Sequence, residues 1–441
     1  MKNETTHRPI VGITPFEHPD GALASSFCQS GGFGVLDLGR QERRARRVLH
    51  SVSRQVPSSF GVRIPNGSNA QPDWLPSNVS VVVLPAGTNL EPWRNWALWV
   101  QVTSLEEART AVQSGANGLI AKGSESGGKV GQDAAYILLQ QLIADNIQLP
   151  IWVQGGIGVH TAAACIAGGA AGVVLDSQLA LLAESSAPID IQTAIRAMDG
   201  SETAIHHGHQ VYTRPDLPDL TSMTETELTA RLGAIDLHDS VVPVGQDGAL
   251  AKSIGERFRT VSALIGGFQA EIAQHLNQAQ DAEILASGAP LAQAHKTAYP
   301  VMQGPMTRVS DQASFAKAVA ENGGLPFLAL ALMRGEQVRE LVTETAKQMN
   351  DQSWGVGILG FVPPSLRDEQ LAVLSDIRPP FAIIAGGRPA QARELEANGT
   401  ATYLHVPSPG LLQMFLQEGA RRFIFEGREC GGHVGPRSSF V

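Results

Sequence analysis

The chain has 441 residues, 46 of them glycine, with 43% hydrophobic and 5% aromatic residues and a formal net charge of −9. That length suffices for two sizeable cores, the acidic balance argues against a nucleic-acid surface, and three scattered cysteines (Cys28, Cys165, Cys430) argue against a disulfide framework and for a reducing compartment. No apolar run reaches the ~18–20 residues of a membrane span, and the polar start Met1–Arg8 lacks the apolar core of a signal peptide, so a cytoplasmic setting is expected. From Pro9 short apolar runs alternate with amphipathic stretches. Strands are predicted at Ile10–Thr14, Phe33–Leu38, Phe60–Ile64, Val79–Leu84, Leu98–Val102, Gly118–Lys122, Ile151–Gln154 and Gly172–Asp176. Their Val/Ile/Leu content without strict alternation is that of strands buried on both faces of a parallel sheet. Helices are predicted between them, for example at Ser104–Ser114 and His160–Ala167, and the basic cluster Arg40, Arg43, Arg44, Arg46 and Arg47 reads as a solvated helix face. Eight such units within residues 1–185 predict a complete (β/α)8 barrel. An open doubly wound sheet would want a Gly-x-Gly-x-x-Gly turn after the first strand, and Ile10–Glu17 has none.

Residues 186–297 break the alternation and are expected to form a helical connector. A capped helix is predicted at Ser222-x-x-Glu225. A longer helix carries Ile254, Phe258, Val261, Ile265, Phe268, Ile272 and Leu276 on one stripe. His206, His207 and His209 lack companions at zinc spacing and are expected in a solvent-facing loop.

The alternation restarts in residues 298–441, with strands at Val301–Gly304, Leu325–Leu330, Trp354–Leu359, Phe381–Ala385, Thr402–Val406 and Phe423–Glu426. The halves match in order: Gly61-Val-Arg-Ile answers Gly355-Val-Gly-Ile, and Gly118-Leu-Ile-Ala-Lys-Gly-Ser-Glu-Ser-Gly-Gly-Lys-Val-Gly131 answers the stretch ending Phe425-Glu-Gly-Arg-Glu-Cys-Gly-Gly-His-Val-Gly435. The architecture expected is therefore α/β, a tandem of TIM barrels with the second stopping after about six strands. A parallel sheet short of two strands leaves open edges, so the chain is expected to continue in a longer polypeptide.

Met302-Gln-Gly-Pro-Met306, the Gly427–Gly435 loop with His433, Gln154-Gly-Gly-Ile-Gly158 and Gly172–Ser185 together resemble the nitronate monooxygenase (2-nitropropane dioxygenase) family. That family is FMN-dependent and includes flavin enoyl-acyl-carrier-protein reductases. The tandem also resembles the N-terminal region of large type I polyketide or polyunsaturated fatty-acid synthases. The resemblance implies an FMN lying across the C-terminal ends of the strands, and an acid or base at His433, whose imidazole moves a proton at neutral pH. In the second copy, Gln303, Gly304, Pro305, Met306, His405, Gly427, Gly431 and Gly432 would contact the flavin. In the first copy, Gln101, Gly127, Gly128, Gln154, Gly155, Gly156, Ser177 and Gln178 would do so, the last four taking the phosphate.

The activity implied is oxidation of small nitronates, or reduction of enoyl thioesters with NAD(P)H and an acyl carrier protein. A non-catalytic docking region of a synthase and a phosphate-binding barrel without redox chemistry are the alternatives; the latter leaves the Gly-Gly-His loop unexplained. No metal is expected. The first copy departs from the pattern at Lys129, where the second has His433, and an ordinary ammonium is a poor base.

Overall fold

Eight parallel strands close on themselves in the first half of the computed structural model, which describes residues 9–441. They are β1 (Ile10–Ile13), β2 (Phe33–Asp37), β3 (Phe60–Arg63), β4 (Val79–Pro85), β5 (Ala97–Val102) and β6 (Gly118–Lys122), then, after the short β7 (Gly128–Lys129), β8 (Ile151–Gln154) and β9 (Gly172–Leu175). Closure is made where β1 pairs with β9, Val11 opposite Val174. Side chains alternate across the strands. Val81 and Val83 point into the barrel with Phe33 and Ile120, whereas Val82 and Leu84 join the layer beneath the helices. Trp99 and Trp152 stack at the centre with ring centroids 3.8 Å apart, so the interior is a packed core.

All eight predicted strands are present within a residue or so at each end, and the helix predicted at Ser104–Ser114 runs Leu105–Gln113, with Ser104 as its cap, its hydroxyl accepting from Glu107 N at 3.2 Å. The chain divides into a unit running to Asn277 and including Phe440–Val441, and a second unit, Gln278–Ser439. Most of the stretch expected as a connector thus packs with the first barrel, and it is not all helical. β10 (Thr203–His206) and β11 (His209–Tyr212) form a hairpin whose turn residues, His207 and Gly208, both have positive φ (48° and 75°). β11 then pairs antiparallel with β7. His209 is therefore not a solvent-facing loop residue: it is 6% exposed.

Two helical readings shift as well. The cap is Thr224 rather than Ser222, with Thr224 N donating to Glu227 Oε2 at 2.8 Å and Thr224 Oγ1 accepting from Glu227 N at 3.3 Å. The long apolar stripe is carried by two helices, Leu250–Phe258 and Val261–Ala282, broken at Arg259 (φ 62°). The carboxylate of Glu184 caps the second, accepting from Val261 N at 3.1 Å. No helix among the described residues is long and apolar enough to cross a membrane.

In the second unit six parallel strands lie in sequence order as a curled half-barrel: β12 (Met302–Gln303), β13 (Leu325–Ala329), β14 (Gly355–Leu359), β15 (Phe381–Ala385), β16 (Ala401–Val406) and β17 (Phe423–Phe425). Leu325, Phe327, Phe381 and Ile383 share the concave face, while Leu328, Ala382 and Ile384 pack under the helices. The edge strands β12 and β17 have two and three residues, which limits the free backbone they present. The repeated glycine opening β3 and β14 has a packing cause. A Cβ on Gly61 would sit 3.1 Å from the Phe33 ring, and one on Gly355 would run into the ring of Phe327. Each glycine makes room for an aromatic side chain from the preceding strand.

Candidate active sites at the strand ends

The C-terminal ends of β1–β9 carry charged side chains where a purely structural strand end needs none. Arg63 at the end of β3 pairs with Asp37 at the end of β2, and its Nε donates to Gln101 Oε1 at 2.7 Å. Gln101 Nε2 donates to Gln154 Oε1 at 2.7 Å, and Gln154 Nε2 donates to Asp176 Oδ2 at 2.6 Å. Phe16 and Glu17 after β1 have φ of 65° and 50°, a conformation unusual for such residues. That turn brings Glu17 to Arg40, with Oε2 2.8 Å from Nε. A hydrogen-bonded belt therefore runs round the mouth.

Above the belt, the β10–β11 hairpin is joined to the loop after β6, with Val130 N donating to Gly208 O at 2.9 Å, and Pro243 packs against Gly127. Two small cavities lie between them. One of about 20 Å³ is lined by Glu17, Asp37, Arg63, Lys122 and Asp176, and one of about 30 Å³ by Arg40, Lys122, Lys129 and His209. A water needs roughly 10–15 Å³ on this measure, and cofactor pockets run to roughly 300–1,000 Å³.

All eight residues expected to hold FMN in the first copy do meet at this mouth, but they do not fit the cofactor. Gln101 and Gln154 spend their amides on the belt. The Ser177 amide donates to Asp176 Oδ1 at 2.6 Å, and the Gln178 side chain accepts from Asp176 N at 3.0 Å and donates to Ile157 O at 3.2 Å. Phe440 Cβ lies 2.5 Å from where a Cβ on Gly156 would stand, covering that turn. Asp176 at the same place has the wrong sign for a phosphate, and burial, then Asp176 and Glu125, push the neighbouring Asp247 carboxyl well up.

The second unit presents the same positions differently. Counting from the matching glycine phrases, Gln101, Lys122 and Lys129 answer His405, Glu426 and His433, and Arg63 answers Gly357. His405 is 5% exposed at the end of β16, with Nε2 3.3 Å from Glu426 Oε2 and without a hydrogen bond among the described residues. Burial lowers its pKa, Glu426 opposes this, and His433 adds to it. His433 is exposed, its ring edge-on to Phe361 with centroids 5.3 Å apart.

Gln303 is a fastener rather than a free contact: its Oε1 accepts from Phe327 N at 3.1 Å and its Nε2 donates to Phe327 O at 3.3 Å. Pro305 packs against Gly357, Met306 is exposed, and the Cβ positions of Gly304, Gly431 and Gly432 face open space. The loop carrying His433 is closed by Glu429, whose Oε1 accepts from Ser439 N at 2.9 Å, and Gly427 packs against that pair. In the first copy Glu125 likewise accepts from Ala135 N at 3.0 Å, so the glutamate of the repeated phrase is a backbone cap. A buried imidazole paired with a carboxylate beside an open glycine-lined surface fits a planar, hydrogen-bonding ring system. Among the described residues no cluster of His, Cys, Asp and Glu could hold a metal.

Sequence reading missed Arg63, Lys122, Glu17, Asp37 and Asp176. The signal was present in two of them: Gly-Val-Arg-Ile and Leu-Ile-Ala-Lys each put a full charge inside or at the end of a buried apolar run. Such a charge has to meet partners.

The family model described as nitronate monooxygenase matches residues 93–256. Among solved structures, the chain is similar to FabK from Thermotoga maritima (20% identity over 62% of this chain and 96% of that one, TM-score 0.53). It is similar to a point mutant of the same protein (22% identity, 62% and 95% covered, TM-score 0.53). It also matches a nitroalkane oxidase from Streptomyces ansochromogenes (20% identity, 61% and 97% covered, TM-score 0.49). These likenesses concern the fold. No curated protein matches the chain.

Proposed function

We propose, from the nitronate monooxygenase match over residues 93–256 of the first unit and from the glycine phrase that the second unit repeats with a histidine, that the chain is a flavin oxidoreductase whose redox site lies in the second unit. The observation that carries the placement is His405, a buried imidazole whose Nε2 faces Glu426 Oε2 at 3.3 Å, at the end of β16 with the open Gly431-Gly432-His433 turn. Gly304, Met306, His405, Gly431 and Gly432 would hold an FMN ring, which when bound accepts or delivers a hydride or single electrons. Glu426 orients His405. His433, exposed at the rim, takes a proton from the carbon beside a nitro group, leaving the nitronate, or gives one to the enolate carbon that hydride delivery to an enoyl thioester leaves.

The first unit takes no part in flavin chemistry, because its mouth is filled by its own side chains. Reduction of an enoyl thioester on an acyl carrier protein, within a longer synthase chain, is the finer reading, supported by the two-copy arrangement of the sequence. Cytoplasmic location goes with it.

The purified chain loaded with FMN under anaerobic conditions tests both. Bleaching of the flavin absorbance on adding a nitronate supports the oxidase. Bleaching by NAD(P)H followed by recovery on adding an enoyl thioester supports the reductase. No flavin uptake overturns the proposal.

A further inference from the structure

Lys122, at the end of β6, is a buried charged group at the first barrel's mouth that the belt leaves out. It is 3% exposed, and among the described residues its Nζ makes neither a hydrogen bond nor an ion pair within 4 Å, feeling Arg63 and the carboxylates of Asp176, Glu17 and Asp247 at longer range. The carboxylates around it are engaged elsewhere: Glu17 by Arg40, Asp37 by Arg63, and Asp176 by Gln154 and the Ser177 amide. The amine lines both small cavities, 3.6 Å from the Cβ position of Gly128. The outer cavity is also lined by the exposed residues Lys129 and Asn66, so solvent has a route in.

A lysine held in a wall without a partner is an unusual object. Burial of an unpaired ammonium is costly, and the position is filled in the second unit by Glu426, which has His405 beside it. The arrangement suits an amine used as a nucleophile.

We propose that Lys122 condenses with a small aldehyde or 2-oxo acid to form an imine inside the mouth of the first barrel. The neutral Nζ adds to the carbonyl carbon. The carbonyl oxygen then leaves as water carrying both amine protons, and a C=N bond remains; nothing is oxidised or reduced. His209, on the far wall of the outer cavity, serves the proton transfers. Its Nδ1 is held by the His207 carbonyl at 3.0 Å, which leaves Nε2 as the acceptor. Cavities of about 20 and 30 Å³, each with room for about two waters, restrict the partner to one or two carbons.

The charges facing the amine decide its protonation. Burial, then Arg63, lowers the Lys122 pKa to about 8 against the pull of Asp176, Glu17 and Asp247. At pH 8 about half of such an amine is neutral, about a hundredfold more than for a lysine of pKa ~10.4. This assignment is independent of the flavin reading.

The test treats the full chain, without flavin, with glyoxylate and cyanoborohydride at pH 8, and maps the reduced adducts by peptide mass. Lys122 is expected to be labelled about a hundredfold faster than the exposed Lys129 and Lys252, with a rate that rises through pH 8. Lys122→Met and Lys122→Arg should each abolish that fast phase and leave labelling of the other two lysines unchanged. Labelling that spares Lys122 in the wild-type chain, or proceeds there no faster than at Lys129, overturns the assignment whether or not the variants fold.

Discussion

The two units end their sixth strands with the same glycine phrase, yet one mouth is full and the other open. In the first, Arg63 reaches across to Asp37 and Gln101; in the second the corresponding residue is Gly357, and Pro305 lies against it. In the first, Lys122 and Lys129 stand where the second has Glu426 and His433. Shared glycines and the shared capping glutamates Glu125 and Glu429 preserve the backbone path. The chemistry changes at the side chains that path carries. A repeated motif thus reports a repeated loop, and the residues between its glycines report what each loop does.

The largest effect expected concerns catalysis. His433→Ala should lower flavin-dependent turnover by ~10²–10⁴-fold, the range for a positioned acid or base. Lys129→Ala, at the matching place, should leave turnover unchanged. Equal losses in steady-state kinetics would reverse the assignment of the two units.

Next is the belt. Arg63→Ala strands the buried Asp37 carboxylate and should cost about 3–5 kcal/mol. In urea melts followed by tryptophan fluorescence, with Trp354 of the second unit replaced by Phe so that the remaining tryptophans all lie in the first, the midpoint should fall sharply. Arg63→Ala combined with Asp37→Ala should recover much of it. A single variant as stable as wild type would show that the belt is ornamental.

A pH effect of similar size is expected from one buried histidine of the first unit. His18 is 6% exposed; burial, then Arg44, lowers its pKa from 6.5 to about 4. As pH falls from 6.5 towards 4 the unfolded chain takes up a proton that the folded chain refuses, so stability is lost across that window. The loss should approach about 3 kcal/mol, and His18→Gln should flatten it in urea midpoints measured between pH 7 and pH 4.5.

The smallest effect separates two equivalent glycines. Gly355→Ala drives a methyl into Phe327 and should cost about 1–3 kcal/mol. Gly61→Ala meets its neighbours at 3.0–3.2 Å, where a slight shift suffices, and should cost less. Thermal melts of the two variants give the order.

Much of the fold was legible because buried parallel strands leave continuous apolar runs. Phe381–Ala385 and Ile151–Gln154 fall at the predicted boundaries. The hairpin Thr203–Tyr212 was not legible, since its strands are four residues each and the β11–β7 pairing depends on a loop distant in sequence. The stripe from Ile254 to Leu276 hid its break because the apolar periodicity runs on across Arg259. At the sites, the glycine turns were visible, but the filling of the first mouth was not. It results from side chains on β2, β3, β5, β8 and the turn after β1, which only barrel closure brings together. Gly155, Gly156 and Ser177 read as a phosphate grip by type, and the covering Phe440 and the adjacent Asp176 lie too far along the chain, or too close to a plausible turn, to warn otherwise.

The central claim is that flavin chemistry belongs to the open mouth and not to the filled one. Hydrogen–deuterium exchange of the whole chain with and without added FMN addresses it directly. Protection is predicted in peptides covering 302–306, 404–406 and 427–434, with no change at 122–131, 154–157 or 176–178. Protection confined to the second group of peptides, or to neither, would contradict it.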